Sequence, residues 1–149
     1  MTSRTTGNAT NMATKKLDLS LRLRHPIADL TSIAGQLAAT PTVNWVRGEP
    51  RRSIRGEPLN GVRDSSYCSI PLGITESTEL DEVLSRCIER IAPIKRELHQ
   101  LVQSGGTAAI AIGWFCNGDA GGSISADAVM RLSRLKLSLD FYLYFSSDN

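Results

Sequence analysis

The densest concentration of side chains able to bind lies between residues 45 and 63. Arg47, Arg51, Arg52, Arg55 and Arg63 accompany Glu49 and Glu57, and they follow Trp45. A guanidinium is a planar fork that matches carboxylates and phosphates and stacks on indole rings. This arrangement points to a docking surface for an acidic partner, with Trp45, Arg47, Glu49, Arg51, Arg52 and Arg55 as candidate binding residues. The competing account is a solvated hairpin loop whose Arg and Glu side chains pair with one another. A second candidate is the run Asn117-Gly118-Asp119-Ala120-Gly121-Gly122 before Ser125. If Ser125 opens a helix, free backbone N–H groups there could meet an anion, giving Asn117, Gly121, Gly122 and Ser125 as anion-binding candidates. A tight turn needing positive φ explains the glycines without a ligand. The run lacks the Lys of a P-loop, and it lacks the alternating acids and closing Glu of an EF-hand loop.

Catalytic chemistry finds less support. His25 lies between an apolar alternation and Pro26, and His99 falls on the polar side of a long helical pattern. No Ser-His-Asp or Cys-His constellation follows from these spacings, so no catalytic residue is assigned. Asp119 and Asp140 fall near the ends of neighbouring strand patterns, but a carboxylate pair works as acid and base only where its surroundings split the two pKa values. Cys68, Cys87 and Cys116 are odd in number and widely spaced, which argues against a disulfide framework and a zinc site. They read as small buried hydrophobes. Neither a metal nor a cofactor is expected.

Charge and composition bound the partners. In 149 residues, 17 basic against 15 acidic side chains give a net +2. Arg4, Lys15 and Lys16 supply +3 of this within the first sixteen residues, so the rest carries −1. The arginine-rich loop is locally +3 on a body that is otherwise −4. Such a body lacks the broad positive field of a nucleic-acid binder, and the strand Leu17 to Leu23 offers no aromatics for stacking bases. Nucleic acid is therefore not an expected partner. Met1 to Thr14 is rich in Thr, Ser and Asn without an apolar core, which fits a disordered tail over residues 1–16 rather than a signal peptide. No apolar run reaches membrane-spanning length, so a cytoplasmic protein without membrane contact is expected.

The elements that must position these groups are legible from periodicity. Leu17, Leu19, Leu21 and Leu23 alternate with polar residues as a strand does, and Ile27, Leu30, Ile33, Ala34 and Leu37 follow at helical spacing after Pro26. Short strands are expected over Val43–Arg47 and Tyr67–Leu72, paired across the long loop. Thr78 with Asp81 has capping-box logic, opening a helix of about six turns with an apolar stripe from Leu80 to Val102. Pro93 should bend it and Gly105-Gly106 should end it. Thr107 to Phe115 is apolar enough for a central strand covered on both faces. Ser125 caps a last helix, and Leu137, Leu139, Phe141, Leu143 and Phe145 alternate as a final strand. The order β-α-β-β-α-β-α-β predicts one α+β domain over residues 17–149, a ferredoxin-like split β-α-β sandwich with an additional C-terminal helix and strand.

Placed on these elements, several residues form a recognisable pattern. Pro41-Thr42 leads to Trp45, Arg47, Gly48 and Glu49. Further on come Gly113-Trp114-Phe115, Asn117, Gly121-Gly122, Ser125, Leu135, Leu139-Asp140-Phe141 and Tyr144. In order and spacing this resembles the bacterial domain of unknown function numbered 4279, over most of Leu17 to Phe145. The chain departs from that pattern in having Tyr67 where a tryptophan is common, and Cys116 after the aromatic pair. The resemblance implies a small cytosolic α/β domain and supplies no catalytic residues.

The reading that accounts for the loop without chemistry is a non-enzymatic protein-interaction module docking through Trp45 to Arg63. It would be a homodimer, or an immunity-like or regulatory binding protein with a protein partner. The alternative is a small-ligand-binding protein or an enzyme acting on an anionic substrate at the Gly-rich turn, which needs a cleft joining that turn to the arginines.

Overall fold

Ten residues of alternating burial make β1 (Lys16–His25) the spine of the sheet, with Leu17, Leu19, Leu21 and Leu23 buried on one side. The computed structural model describes residues 16–76, 79–118 and 121–145. The expected tail up to Lys15, the Thr78 cap and Asp119 lie outside the described residues, whereas Lys16 already belongs to β1.

The remaining elements are α1 (Thr31–Gln36), β2 (Val43–Trp45), β3 (Pro50–Arg52), β4 (Pro58–Val62), β5 (Ser66–Thr75), α2 (Leu80–Ile91), a 3₁₀ turn (Ala92–Ile94), α3 (Lys95–Gln103), β6 (Thr107–Cys116), α4 (Ala126–Arg134) and β7 (Leu137–Phe145). The five-stranded sheet runs β2-β5-β1-β6-β7. Every neighbour is antiparallel except β6 and β7, which α4 joins as a parallel crossover. The additional strand therefore sits on the outside of β6. The chain is a mixed α+β domain.

The helices supply Leu30, Ile33, Leu84, Ile88, Ile91, Leu98 and Leu132 to the same core as the β1 leucines, Ile70, Ile110 and Ile112. Among the described residues, no helix layer covers the opposite face of the sheet. Registers place Lys16, Asp18, Ser20, Arg22 and Arg24 of β1 on that face, beside Phe115, Gly113 and Ala111 of β6. The expectation that β6 is covered on both faces is thus corrected. Its continuous apolarity comes from Ala109, Ala111 and Gly113, small residues that leave the open face shallow.

Three more expectations change in detail. The first helix is one and a half turns rather than running from Ile27 to Leu37, because the backbone N–H groups of Ile27 and Ala28 turn back to donate to His25 Nδ1, at 3.1 and 2.9 Å. The long helix splits at Pro93 into α2, a 3₁₀ turn and α3, as a proline without an N–H dictates. The segment between β2 and β5 is not an irregular loop, since it folds as a second hairpin of β3 against β4.

Candidate functional site

The hairpin is a projecting arm. Its base closes through the N–H of Gly48 donating to the carbonyl of Arg63 at 2.9 Å and that of Arg63 donating to Glu49 at 2.8 Å. Its tip is a turn from Ser53 to Gly56, where the Gly56 N–H donates to the Ser53 carbonyl and Gly56 takes φ 83°. Every residue of β3 and β4 is exposed, and Ile54 at the tip is wholly so. The arm contributes nothing to the core.

At its root, Trp45 is half-buried on the open face of β2. Its ring meets Tyr67 at 4.8 Å between centroids, its indole N–H donates to the Ser65 carbonyl at 3.1 Å, and the Arg63 guanidinium lies 3.8 Å over it. Between β2 and the arm opens a cleft of about 670 Å³ lined by Val43, Trp45, Glu49, Arg52, Ile54 and Arg63 among others. The arginines of the arm bond to backbone oxygens: Arg52 to Gly56, Arg51 to Asn60 and Arg63 to Arg52. Among the described residues the ion pairs are Arg86–Glu82 and Arg131–Asp127, both away from the arm. The Arg–Glu pairing that would make the loop self-neutralised is therefore not what these residues form.

The candidate residues do not all converge. Trp45, Glu49, Arg52 and Arg63 share the cleft, whereas Arg51 lines a neighbouring groove with Asn60 and Asp64, which Trp45 and Arg63 also border. Alternation along β3 requires this, since neighbours on a strand point to opposite faces. Arg55 stands at the exposed tip, and Arg47 is held by its N–H donating to the Ser66 hydroxyl at 3.0 Å. Sequence reading left Arg63 outside the site proper, although its guanidinium lies over the Trp45 ring.

A wider feature was also missed. The open sheet face carries four aromatic–cation contacts, Lys16 on Phe115, Arg22 on Tyr142, Arg24 on Tyr67 and Arg63 on Trp45, at 3.8–4.8 Å. Phe115 and Tyr144 stack at 4.6 Å, and Arg22 also donates to the Tyr142 hydroxyl at 3.0 Å. Between them lies a depression of about 230 Å³ floored by Ser20, Ser69, Ala111 and Gly113. Thr42 borders both this depression and the cleft, so the two adjoin. The signal for this face was the second phase of each alternation, Arg22 and Arg24 in β1 with Tyr142 and Tyr144 in β7, but only register brings them together.

The glycine-rich candidate lies elsewhere. It follows β6 at the Lys16 end of β1, whereas Trp45 and Tyr67 stand at the Arg24 end, so the turn and the arginines occupy opposite ends of the sheet. Ser125 caps α4, its hydroxyl accepting the Ala128 N–H at 3.1 Å, and its own N–H donates to the Asp81 carboxylate at 2.8 Å. The anion at this helix end is a side chain of the protein itself. Gly122 packs against Leu80 and Trp114. Asp140 falls on the open face opposite Ala111, and His99 Nε2 meets the Arg134 carbonyl.

Burial raises the Cys68 thiol above its ordinary range, helped by the charge of Asp29. Burial also raises Cys87 against the opposing pull of Arg90 and Arg86. Asp29 is lowered because it accepts from the Thr31 hydroxyl and N–H. None of these groups lines the cleft. Among the described residues there is no cluster of three His, Cys, Asp or Glu side chains able to hold a metal, and no helix is long and apolar enough to cross a membrane.

No curated protein and no solved structure matches the chain. The family profile of the domain of unknown function DUF4279 does, over residues 14–146, which takes in β1 through β7, the cleft and the open face. The chain belongs to the DUF4279 family.

Proposed function

We propose that this domain is a cytoplasmic, non-enzymatic protein-interaction module that receives an extended acidic segment of a partner in the cleft between β2 and the hairpin arm. The observation that carries this reading is the state of the arm's arginines. They bond only to backbone oxygens beside a half-buried indole, with no carboxylate among the described residues paired to them. A guanidinium presented this way keeps donors for an incoming carboxylate. β2 is also a short edge strand with one neighbour in the sheet, so a partner segment could add alongside it while its acids meet Arg52 and Arg63. The depression at Thr42 extends the same path across the open face. The antiparallel order β6-β1-β5-β2, with α1 and α2–α3 as crossovers, supports reading the scaffold as a ferredoxin-like split β-α-β unit.

Trp45 reports on the cleft directly. With Trp114→Phe removing the buried second indole, titration with a glutamate-rich extended peptide should change Trp45 emission saturably, and added salt should weaken binding. Arg52→Ser with Arg63→Ser should weaken it by about tenfold or more, as expected for anchor residues at an interface. A lysine-rich peptide of equal length should give no saturable change. Equal responses to both peptides, or an unaltered response in the double variant, would overturn the reading.

A further inference from the structure

The two edges of the sheet are finished differently. β2 has three residues and the arm beside it, whereas β7 runs nine residues with Asp140 as its only charge and no proline. Proteins usually protect a long edge with lysines, prolines or bulges, because its unpaired N–H and C=O groups template another strand. On β7, five consecutive residues from Phe141 to Phe145 are 40–67% exposed. Val129 and Met130 of α4, the helix packed on β7, are about half exposed as well.

We infer that a second copy of this chain covers β7, pairing antiparallel through a two-fold axis at Phe141 to join two five-stranded sheets into one of ten. The strand's composition suits its own reversal. Centred on Phe141, the middle residue of the nine, Leu139 falls opposite the partner's Leu143, and Leu137 opposite the partner's Phe145. All of these lie on the helix side, where apolar meets apolar. On the open face Asp140 falls opposite the partner's Tyr142, a carboxylate acceptor against a hydroxyl donor. Two-fold symmetry presents the same patch twice, as an isologous interface requires.

At roughly 150–250 Å² per aromatic side chain and somewhat less per aliphatic one, the exposed fractions of Phe141, Leu143, Phe145, Val129 and Met130 on the helix side amount to about 500 Å² per copy. Strand pairing adds the β7 backbone edge to this, toward the ~800 Å² per partner of a standard stable interface. The inference does not rest on the cleft, which lies at the far edge of the sheet.

Sedimentation equilibrium of the full chain should give a dimer. Phe141→Lys should raise the dissociation constant by about a hundredfold or more, because symmetry removes the ring and adds the charge twice. Leu143→Lys should act likewise, and circular dichroism with thermal unfolding should show both variants folded. Register is tested by Phe141→Cys. The two positions would be paired across strands at about 4.5–5.5 Å between Cα atoms, within disulfide range, so oxidation should link the copies. Ser138→Cys alone, whose copies lie far apart in this register, should not link. A wild-type chain that stays monomeric at high concentration would overturn the inference, as would a dimer unmoved by either lysine or a linked Ser138→Cys with an unlinked Phe141→Cys. Peptide binding by a monomeric Phe141→Lys variant would keep the cleft reading intact.

Discussion

At the residue scale, polar side chains inside this fold serve the backbone. His25 is buried with Nδ1 accepting two N–H groups, so Nε2 carries the proton toward the Ser104 hydroxyl at 2.9 Å, and that hydroxyl donates onward to the Gln100 carbonyl. Its position before Pro26 gave the sequence reading no hint of this, because the Ser104 hydroxyl lies 79 residues along the chain. The cysteines were easier, since each lies in an apolar stretch and each is buried. Their chemistry yields a pH prediction. Cys68 and Cys87 hold their protons in the folded state more tightly than in the unfolded chain, so the unfolded state loses them first as pH passes about 9. Stability present below that pH should then fall as pH rises, at up to about 1.4 kcal/mol per pH unit for each thiol. Denaturant unfolding between pH 7 and 10.5 measures this, and Cys68→Ala with Cys87→Ala should flatten the decline relative to wild type. An equal slope in the double variant would assign the loss to lysines and tyrosines instead.

At the element scale, periodicity was a good guide wherever one face of an element is buried, as in β1 and α2. It failed where an element has no buried face or outruns its cover. β3 and β4 are fully exposed and contain Pro50, Pro58 and Gly61, so nothing in their pattern distinguishes a hairpin from a loop. For β7 the alternation correctly gave a strand but implied five core residues, of which only Leu137 is buried and Leu139 partly so. The reason is length: nine helical residues span about 13 Å and nine strand residues about 30 Å, so α4 cannot cover the strand that follows it. The stop after α3 was read correctly, and its geometry is strict. Gly105 takes φ 103° as a left-handed cap, while a Cβ on Gly106 would stand 2.6 Å from the Arg24 carbonyl and 2.8 Å from Leu101. Backbone on one side leaves little room to yield, so Gly106→Ala should lower stability by about 1–3 kcal/mol. Gly35→Ala, with nothing within 4 Å of the added carbon and a helical setting, should be neutral or slightly stabilising. Chemical denaturation of the two variants side by side tests whether close approach sets the cost.

At the scale of the whole molecule, the scaffold and the arm separate cleanly. The core is one continuous cluster of sheet and helix residues, and no arm residue belongs to it. The base of the arm is pinned by the two backbone bonds among Gly48, Glu49 and Arg63, so the chain already has strand-like pairing at the point where the arm departs. An Asn-Gly turn joining Glu49 directly to Arg63 in place of Pro50–Val62 suits such a pair, and a shorter loop slightly lowers the entropy of closure. Unfolding should remain cooperative, with stability within about 1 kcal/mol of wild type, because little apolar surface leaves the core. The same excision removes Arg52 and Ile54 from the cleft and should abolish the acidic-peptide response while β7-mediated dimerisation persists. A loss of several kcal/mol would instead make the arm a structural member that braces β2 and Trp45, and the arginines would then owe their exposure to the geometry of that brace rather than to a partner.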